Sequence, residues 1–225
     1  MVTVDNFKLL SSGKIKILGR LVDASNASLL CEINDGVDTC QAIYKPIAGE
    51  RPLWDFPTGN LAFREVAAYL VSEALNLKVV PLTIMREGPY GLGSLQLWLD
   101  DCEDVGERYL EHSQGLRKIA LLDAVINNTD RKIGHLLYKD DDIFGCDHGV
   151  TFHEEYKLRT VLWQFADLPL SDEEIQTLKI FNCQLDSLLN ESEISALSDR
   201  IANLLKTGKF PLPPTDWPAI PWPPF

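Results

Sequence analysis

Between residues 14 and 45 the chain alternates short apolar runs with polar turns. KIKILGRLV, SLLCEIN and TCQAIYK are rich in Ile, Leu and Val and are separated by the clusters DASNA and DGVD. Runs of this length bounded by Asp, Asn, Ser and Gly predict an antiparallel meander of three strands. KPIAGERPLWDFPTGN, punctuated by Pro and Gly, reads as a loop ending at Asn60, the expected N-cap of a helix over LAFREVAAYLVSEALNL. In that helix Leu61, Val66, Tyr69, Leu70 and Ala74 fall near one face. VVPLTIMRE and GLGSLQLWL, split by the turn GPYG, add two strands, so the first hundred residues predict a five-stranded sheet with one helix against it.

From Ser113 onward the period changes. SQGLRKIALLDAVINN, SDEEIQTLKIFNCQLDSLLN and ESEISALSDRIANLLKTG carry apolar stripes at helical spacing, and Ser171 with Glu174 forms a capping-box pattern. The tail KFPLPPTDWPAIPWPPF holds seven of the 13 prolines and two of the five tryptophans, which predicts extended chain with its aromatics pinned on the surface. Neither repeats nor a long linker interrupt the chain. The organisation read from this pattern is one α+β domain over 1–225, with a sheet lobe (1–100), a helical lobe (101–209) and an extended tail (210–225).

Composition narrows the function classes. The net charge of -12 over 225 residues, with no Lys/Arg-rich stripe, argues against nucleic acid as a partner. The N-terminus lacks a basic start followed by an apolar run, and no uninterrupted apolar stretch approaches about 18 residues, so a cytoplasmic protein without stable membrane insertion is expected. Cys31, Cys40, Cys102, Cys146 and Cys183 are scattered and form no CxxC pair, which predicts reduced thiols rather than a disulfide framework or a zinc knuckle.

The chemistry concentrates in INNTDRKIGHLLYKDDDIFGCDHGVTF. Asp130 leaves the end of a helix and His135 follows five residues on. Two short apolar strands come next, and then Asp147-His148-Gly149. Phosphoryl transfer needs one carboxylate to orient an acceptor hydroxyl, and a second carboxylate with a neutral donor to hold a metal that bridges nucleotide phosphates. A loop followed by a hairpin brings both acids to one cleft. Asp123 shares a helix face with Leu116, Ile119, Ala120 and Ile126, so it is expected to be buried and to tether the loop after that helix. His112, His148 and His153 read as structural or surface residues.

These motifs resemble the phosphatidylinositol 3- and 4-kinase superfamily, especially its small bacterial branch, whose fold is the two-lobed protein-kinase-like fold. NNTDR is similar to the catalytic loop of type II phosphatidylinositol 4-kinases, and Asp147-His148-Gly149 to the Asp-x-Gly metal motif. The resemblance implies Asp130 and Arg131 as catalytic residues and Asp147 with His135 as metal ligands. It implies Lys45, in AIYKP, as the strand lysine that contacts phosphates, with Glu65, in FREVAAYL, as its helix partner. By the same mapping Ser25 and Asn26 belong to the phosphate-covering turn, and backbone at Gln96, Leu97 and Trp98 meets the adenine edge. Glu50, Arg51 and Asp55 would form the pocket rim. His135 stands where most kinases place Asn, and an imidazole suits Mn²⁺ better than Mg²⁺.

Each residue alone is commonplace, and it is their joint order that points to an ATP- and Mg²⁺- or Mn²⁺-dependent phosphotransferase acting on a hydroxyl acceptor. Two alternatives stay open on these residues. One is nucleotidyl transfer with the nucleotide reversed, and the other a nucleotide-binding regulatory scaffold without turnover.

Overall fold

The computed structural model describes residues 5–21, 27–51, 53–56 and 60–225. Five strands, β1 (Lys14–Arg20), β2 (Leu29–Asn34), β3 (Thr39–Pro46), β4 (Thr83–Gly88) and β5 (Gly91–Leu97), form an antiparallel sheet in the order β1-β2-β3-β5-β4. Helix α1 (Asn6–Ser12) and helix α2 (Leu61–Ala74) complete the first lobe. The second lobe contains α3 (Gln114–Ile126), α4 (Asp172–Lys179) and α5 (Glu191–Thr207), with a small sheet of β6 (Glu103–Asp104), β7 (Leu136–Lys139) and β8 (Asp142–Gly145). This is the two-lobed α+β architecture expected from the sequence.

Several local features depart from the sequence reading. Helix α1 was not anticipated. Asp5 caps it by accepting from the Lys8 amide (3.1 Å), and Leu9 and Leu10 fill the sheet core beside Ile33, Tyr44 and Leu95. VVPL does not pair as strand, because Pro81 has no N–H and the sheet begins at Thr83. Val79 and Val80 instead pack into the core of the helical lobe, and the Val79 carbonyl accepts from the Gly145 amide (2.7 Å). The run SDEEIQTLKIFNCQLDSLLN is helical only to Lys179, although its Ser171–Glu174 capping box forms.

Asn60 is not the N-cap its position suggested. It adopts left-handed backbone (φ 61°) and its side chain makes no cap, while Glu50 Oε1 accepts from the Ala62 amide (2.8 Å). The acid that closes α2 therefore comes from the preceding loop. Burial on α2 extends well beyond one stripe, since Ala67, Ala68 and Val71 join the larger core that runs through α3 and α5. The buried Arg64–Glu193 ion pair ties α2 to the start of α5. Shared burial on this scale fixes α2, and hence Glu65, relative to the loops of the second lobe.

The tail is pinned in part. Trp217 stacks on Tyr156 with ring centroids 6.5 Å apart, and Pro221 is buried. Trp222, however, is 89% exposed, contrary to the expectation for the tail aromatics. The Ala219 carbonyl accepts from the Thr160 amide (3.1 Å) and from Trp163 Nε1 (2.9 Å), and the Pro224 carbonyl accepts from the Ile133 amide (2.8 Å).

Candidate active site

A cavity of about 320 Å³ opens between the lobes, and Lys45, Glu65, Asp130 and Asp147 all line it. Each reaches the cavity for a local reason. Lys45 sits at the end of β3, paired with Ser94 of β5. Next to it Gly93 lets the strands approach, since a Cβ there would lie 2.4 Å from the Lys45 carbonyl oxygen. Glu65 is on the second turn of α2 and is 2% exposed. Asp147 follows β8 in left-handed backbone (φ 58°), a costly conformation for a non-glycine residue, held here by the bonds of its neighbours.

Lys45 Nζ bonds to Glu65 Oε1 and to Asp147 Oδ1, the latter at 2.8 Å. Glu65 uses its other oxygen to accept from the His148 amide (2.9 Å), so the helix carboxylate positions both the lysine and the Asp147 loop. Burial opposes a charge on Lys45, but the Asp147 and Glu65 carboxylates outweigh it and raise its pKa. The Lys45 ammonium in turn holds Asp147, whose side chain is half exposed, well below the ordinary carboxylate range. Asp147 is therefore an anion over the whole working pH range.

His135 Nε2 lies 3.6 Å from Asp147 Oδ2. Burial lowers the His135 pKa to about 4, so the ring is neutral at neutral pH; its Nδ1 faces the Lys132 amide at 3.5 Å, and ligation through Nε2 would require the ring proton to sit on Nδ1. A divalent cation bound at about 2.1 Å to two adjacent octahedral donors needs them about 3 Å apart. The Asp147–His135 pair comes near that edge length, and its donor set of one carboxylate oxygen and one imidazole nitrogen fits a borderline cation such as Mn²⁺. Among the described residues no group of three or more His, Cys, Asp or Glu forms a closed metal cage, so phosphate oxygens or water would have to complete the shell.

Asp130 faces this pair from the loop after α3. Burial raises its pKa, and the nearby Lys132 ammonium, 3.2 Å away, pulls it back. The loop is held from behind. Asn127 ends α3 in left-handed backbone (φ 54°), and its amide side chain donates to the His153 and Glu155 carbonyls. Asp123 is fully buried and accepts from Asn128 Nδ2 (2.9 Å), Arg131 Nη2 (3.0 Å) and Thr160 Oγ1 (3.3 Å). Asn128 Oδ1 accepts from the Asp130 amide (3.0 Å).

Arg131 does not join the cavity. Its guanidinium is 0% exposed, pairs with Asp123, donates to the Cys146 carbonyl (2.9 Å) and meets His148 Nε2 at 2.7 Å. It thus braces the Asp130 loop against the Asp147 loop from within the core, a positioning arrangement rather than contact with reacting atoms. Gln96, Leu97 and Trp98 are also away from the cavity lining. The Leu97 and Trp98 amides donate to the Leu82 (2.8 Å) and Gln41 (3.0 Å) carbonyls, so these two N–H groups are paired within the sheet lobe. Ser25 and Asn26 lie outside the described residues.

Comparison with known proteins bears on this arrangement. No family model matches the chain. Protein Rv2133c of Mycobacterium tuberculosis is 39% identical over 267 aligned positions that span 98% of this chain and 96% of that protein. The chain belongs to the Rv2133c family. It is also similar to phosphatidylinositol 4-kinase gamma 4 of Oryza sativa (29% identical over 66% of this chain) and phosphatidylinositol 4-kinase gamma 3 of Arabidopsis thaliana (31% over 57%). It spans only 31% and 29% of those plant proteins. The crystal structure of the proinflammatory kinase CtkA of Helicobacter pylori shares the fold, with a TM-score of 0.53 at 10% identity, covering 89% of this chain and 94% of that one. The Rv2133c relative thus carries the family, and CtkA the kinase-like fold.

Other cavity residues went unnoticed in the sequence. Trp54 stands at the rim, 94% exposed, and Arg159 projects from the segment after Asp147. Glu50 and Asp55 line the cavity as the rim reading expected, but both are engaged, Glu50 with α2 and Asp55 with Lys157 Nζ (3.0 Å). Lys132, two residues past Asp130, pairs with that acid (3.2 Å) without lining the cavity itself, and its alternation with Asp130 is the signal in the sequence that marks it.

Proposed function

We propose that this protein is a kinase-like phosphotransferase that uses ATP and a divalent cation to phosphorylate a hydroxyl acceptor. One observation carries the reading. A lysine from the sheet lobe, its helix glutamate and two aspartates from separate loops of the helical lobe converge on one cavity. The kinase-like fold and the distant similarity to phosphatidylinositol 4-kinases support the same class.

In this mechanism Lys45 exchanges its contact with Asp147 for phosphate oxygens, and Glu65 keeps it in place. Asp147 Oδ2 and His135 Nε2 would hold the cation, which supplies neutralisation of charge developing between the phosphates. Asp130 accepts a hydrogen bond from the acceptor hydroxyl. As the acceptor oxygen bonds to the terminal phosphorus and the bond to the bridging oxygen breaks, the hydroxyl proton passes to Asp130 and ADP leaves. The raised pKa of Asp130 matches that role, because a base poised nearer neutrality takes a proton more readily than an ordinary carboxylate.

The test is product analysis of the full chain with ATP and Mn²⁺ or Mg²⁺. Formation of ADP that falls by roughly 10²- to 10⁴-fold in Asp130→Asn supports the reading. Pyrophosphate as product would replace it with nucleotidyl transfer. Nucleotide binding without either product across a broad set of alcohol acceptors would leave a scaffold.

A further inference from the structure

The mechanism above asks Asp147 and His135 to share a cation, and the tail reaches the turn that carries one of them. His135 closes a 3-10 turn over Ile133–His135. The exit of that turn is fastened beside Asp147, since the His135 carbonyl accepts from the Cys146 amide (3.0 Å). Its entry is fastened to the tail, where the Pro224 carbonyl accepts from the Ile133 amide (2.8 Å). Earlier in the tail the Ala219 carbonyl accepts from the Thr160 amide (3.1 Å) and from Trp163 Nε1 (2.9 Å), and Thr160 Oγ1 in turn donates to the buried Asp123 (3.3 Å). Residues 219–224 therefore run as a strap from the segment that meets Asp123 to the turn that carries His135.

The strap is lightly held. Pro221 is buried, but Ile220, Trp222 and Phe225 on either side of it are exposed, so main-chain bonds supply much of the attachment. Segments with few buried apolar contacts open at a free energy well below that of global unfolding. A small displacement at the turn matters, because a binding constellation works only while its ligands stay within about 0.5 Å of the productive geometry. His135 Nε2 already stands 3.6 Å from Asp147 Oδ2, slightly wider than adjacent donors around one cation require. Loss of the anchor at Ile133 would let the imidazole drift out of reach of a cation on Asp147.

We propose that residues 219–224 are a positioning strap for the cation site, which has full affinity for its cation only while the strap is docked. The strap touches no reacting atom and acts through Ile133 on His135. The proposal rests on the cation site of the phosphotransfer reading. By reciprocity, a cation on Asp147 and His135 holds the strap down by the same factor by which release of the strap weakens the cation.

The experiment removes the bond and keeps the turn. Lys132 has extended backbone (φ -99°, ψ 166°), which suits a residue before proline, and the first position of a 3-10 turn has a φ that proline can adopt. Ile133→Pro therefore deletes the N–H that the Pro224 carbonyl accepts. Ile133→Val keeps it and controls for the side chain packed on the core. Mn²⁺ titrated calorimetrically into the full chain saturated with a non-hydrolysable ATP analogue should bind Ile133→Pro roughly tenfold more weakly than the natural chain or Ile133→Val, the lower end of what loss of an outer-shell support costs a metal site. Affinity for the metal-free analogue should be equal in all three chains. In the natural chain, saturating Mn²⁺ should slow deuterium exchange at the Ile133 amide by a similar factor, a readout that needs no variant. Equal Mn²⁺ affinity in Ile133→Pro and Ile133→Val, an equal loss of metal-free analogue affinity in Ile133→Pro, or Ile133 exchange indifferent to Mn²⁺ overturns the proposal and leaves the phosphotransfer reading standing. A natural chain that binds no Mn²⁺ with the analogue in place sinks that reading and the strap's role together.

Discussion

Replacing Asp123 by alanine should destabilise the fold severely although Asp123 touches nothing that reacts. Asp123 and Arg131 are both 0% exposed, and the carboxylate takes bonds from Arg131 Nε, Arg131 Nη2, Asn128 Nδ2 and Thr160 Oγ1. Removing it strands a guanidinium in the core, for which breaking a buried pair typically costs about 3–5 kcal/mol. Against a usual total stability of about 5–15 kcal/mol, that is a large fraction. For a chain of this size each kcal/mol lowers Tm by roughly 2–4 °C, so Asp123→Ala should melt about 6–20 °C below the natural protein by calorimetry. The double variant Asp123→Ala/Arg131→Met, which removes the orphaned charge, should recover much of the loss. A fall of less than about 2 kcal/mol in the single variant, or no recovery in the double, would refute the claim that this pair braces the two loops.

Three further outcomes follow from the geometry. His135 is neutral in the folded chain with a pKa near 4, and its ordinary value is near 6.5. Its contribution to stability is therefore complete above pH 6.5 and is lost as pH falls toward 4, at up to about 1.4 kcal/mol per pH unit, so His135→Asn should show a shallower decline in denaturant-measured stability across that window. Glu50→Ala leaves the Ala62 amide uncapped and should cost about 1 kcal/mol, read from the denaturation midpoint. The Ile133 amide, held by the Pro224 carbonyl, should exchange with solvent deuterium more slowly than the Gly134 amide. Pro221→Gly, which loosens the buried tail segment, should speed Ile133 exchange while leaving α3 amides unchanged.

What the sequence revealed was what local chemistry decides. β2, β3 and β5 follow from aliphatic runs between turn residues, and the start of α4 follows from Ser171 and Glu174 three residues apart. The convergence of Lys45, Glu65, Asp130 and Asp147 was legible because their order along the chain is itself a pattern. Features set by distant partners stayed hidden. Nothing near Asn60 signals that Glu50, ten residues earlier, would cap α2 and leave Asn60 in left-handed backbone. Arg131, a charged residue beside Asp130, invites a catalytic role, and only the position of Asp123 on an apolar helix face hints that the charge is swallowed by the core. Leu97 and Trp98 carry the composition of a hinge, and the pairing of their amides within the sheet lobe cannot be read from six residues. Arg159 sits in a segment without periodicity, and its relation to Asp130 arises only from backbone pairing with Asn128 and Arg131.

The most direct test of the account is a crystal structure of the chain with a non-hydrolysable ATP analogue and Mn²⁺, in which anomalous scattering locates the cation. The account predicts a peak about 2.2 Å from an Asp147 carboxylate oxygen, with the nucleotide phosphates beside Lys45 Nζ and the Lys45–Asp147 contact opened. A nucleotide bound elsewhere, or an unbroken Lys45–Asp147 pair beneath a cation-free phosphate chain, would contradict it.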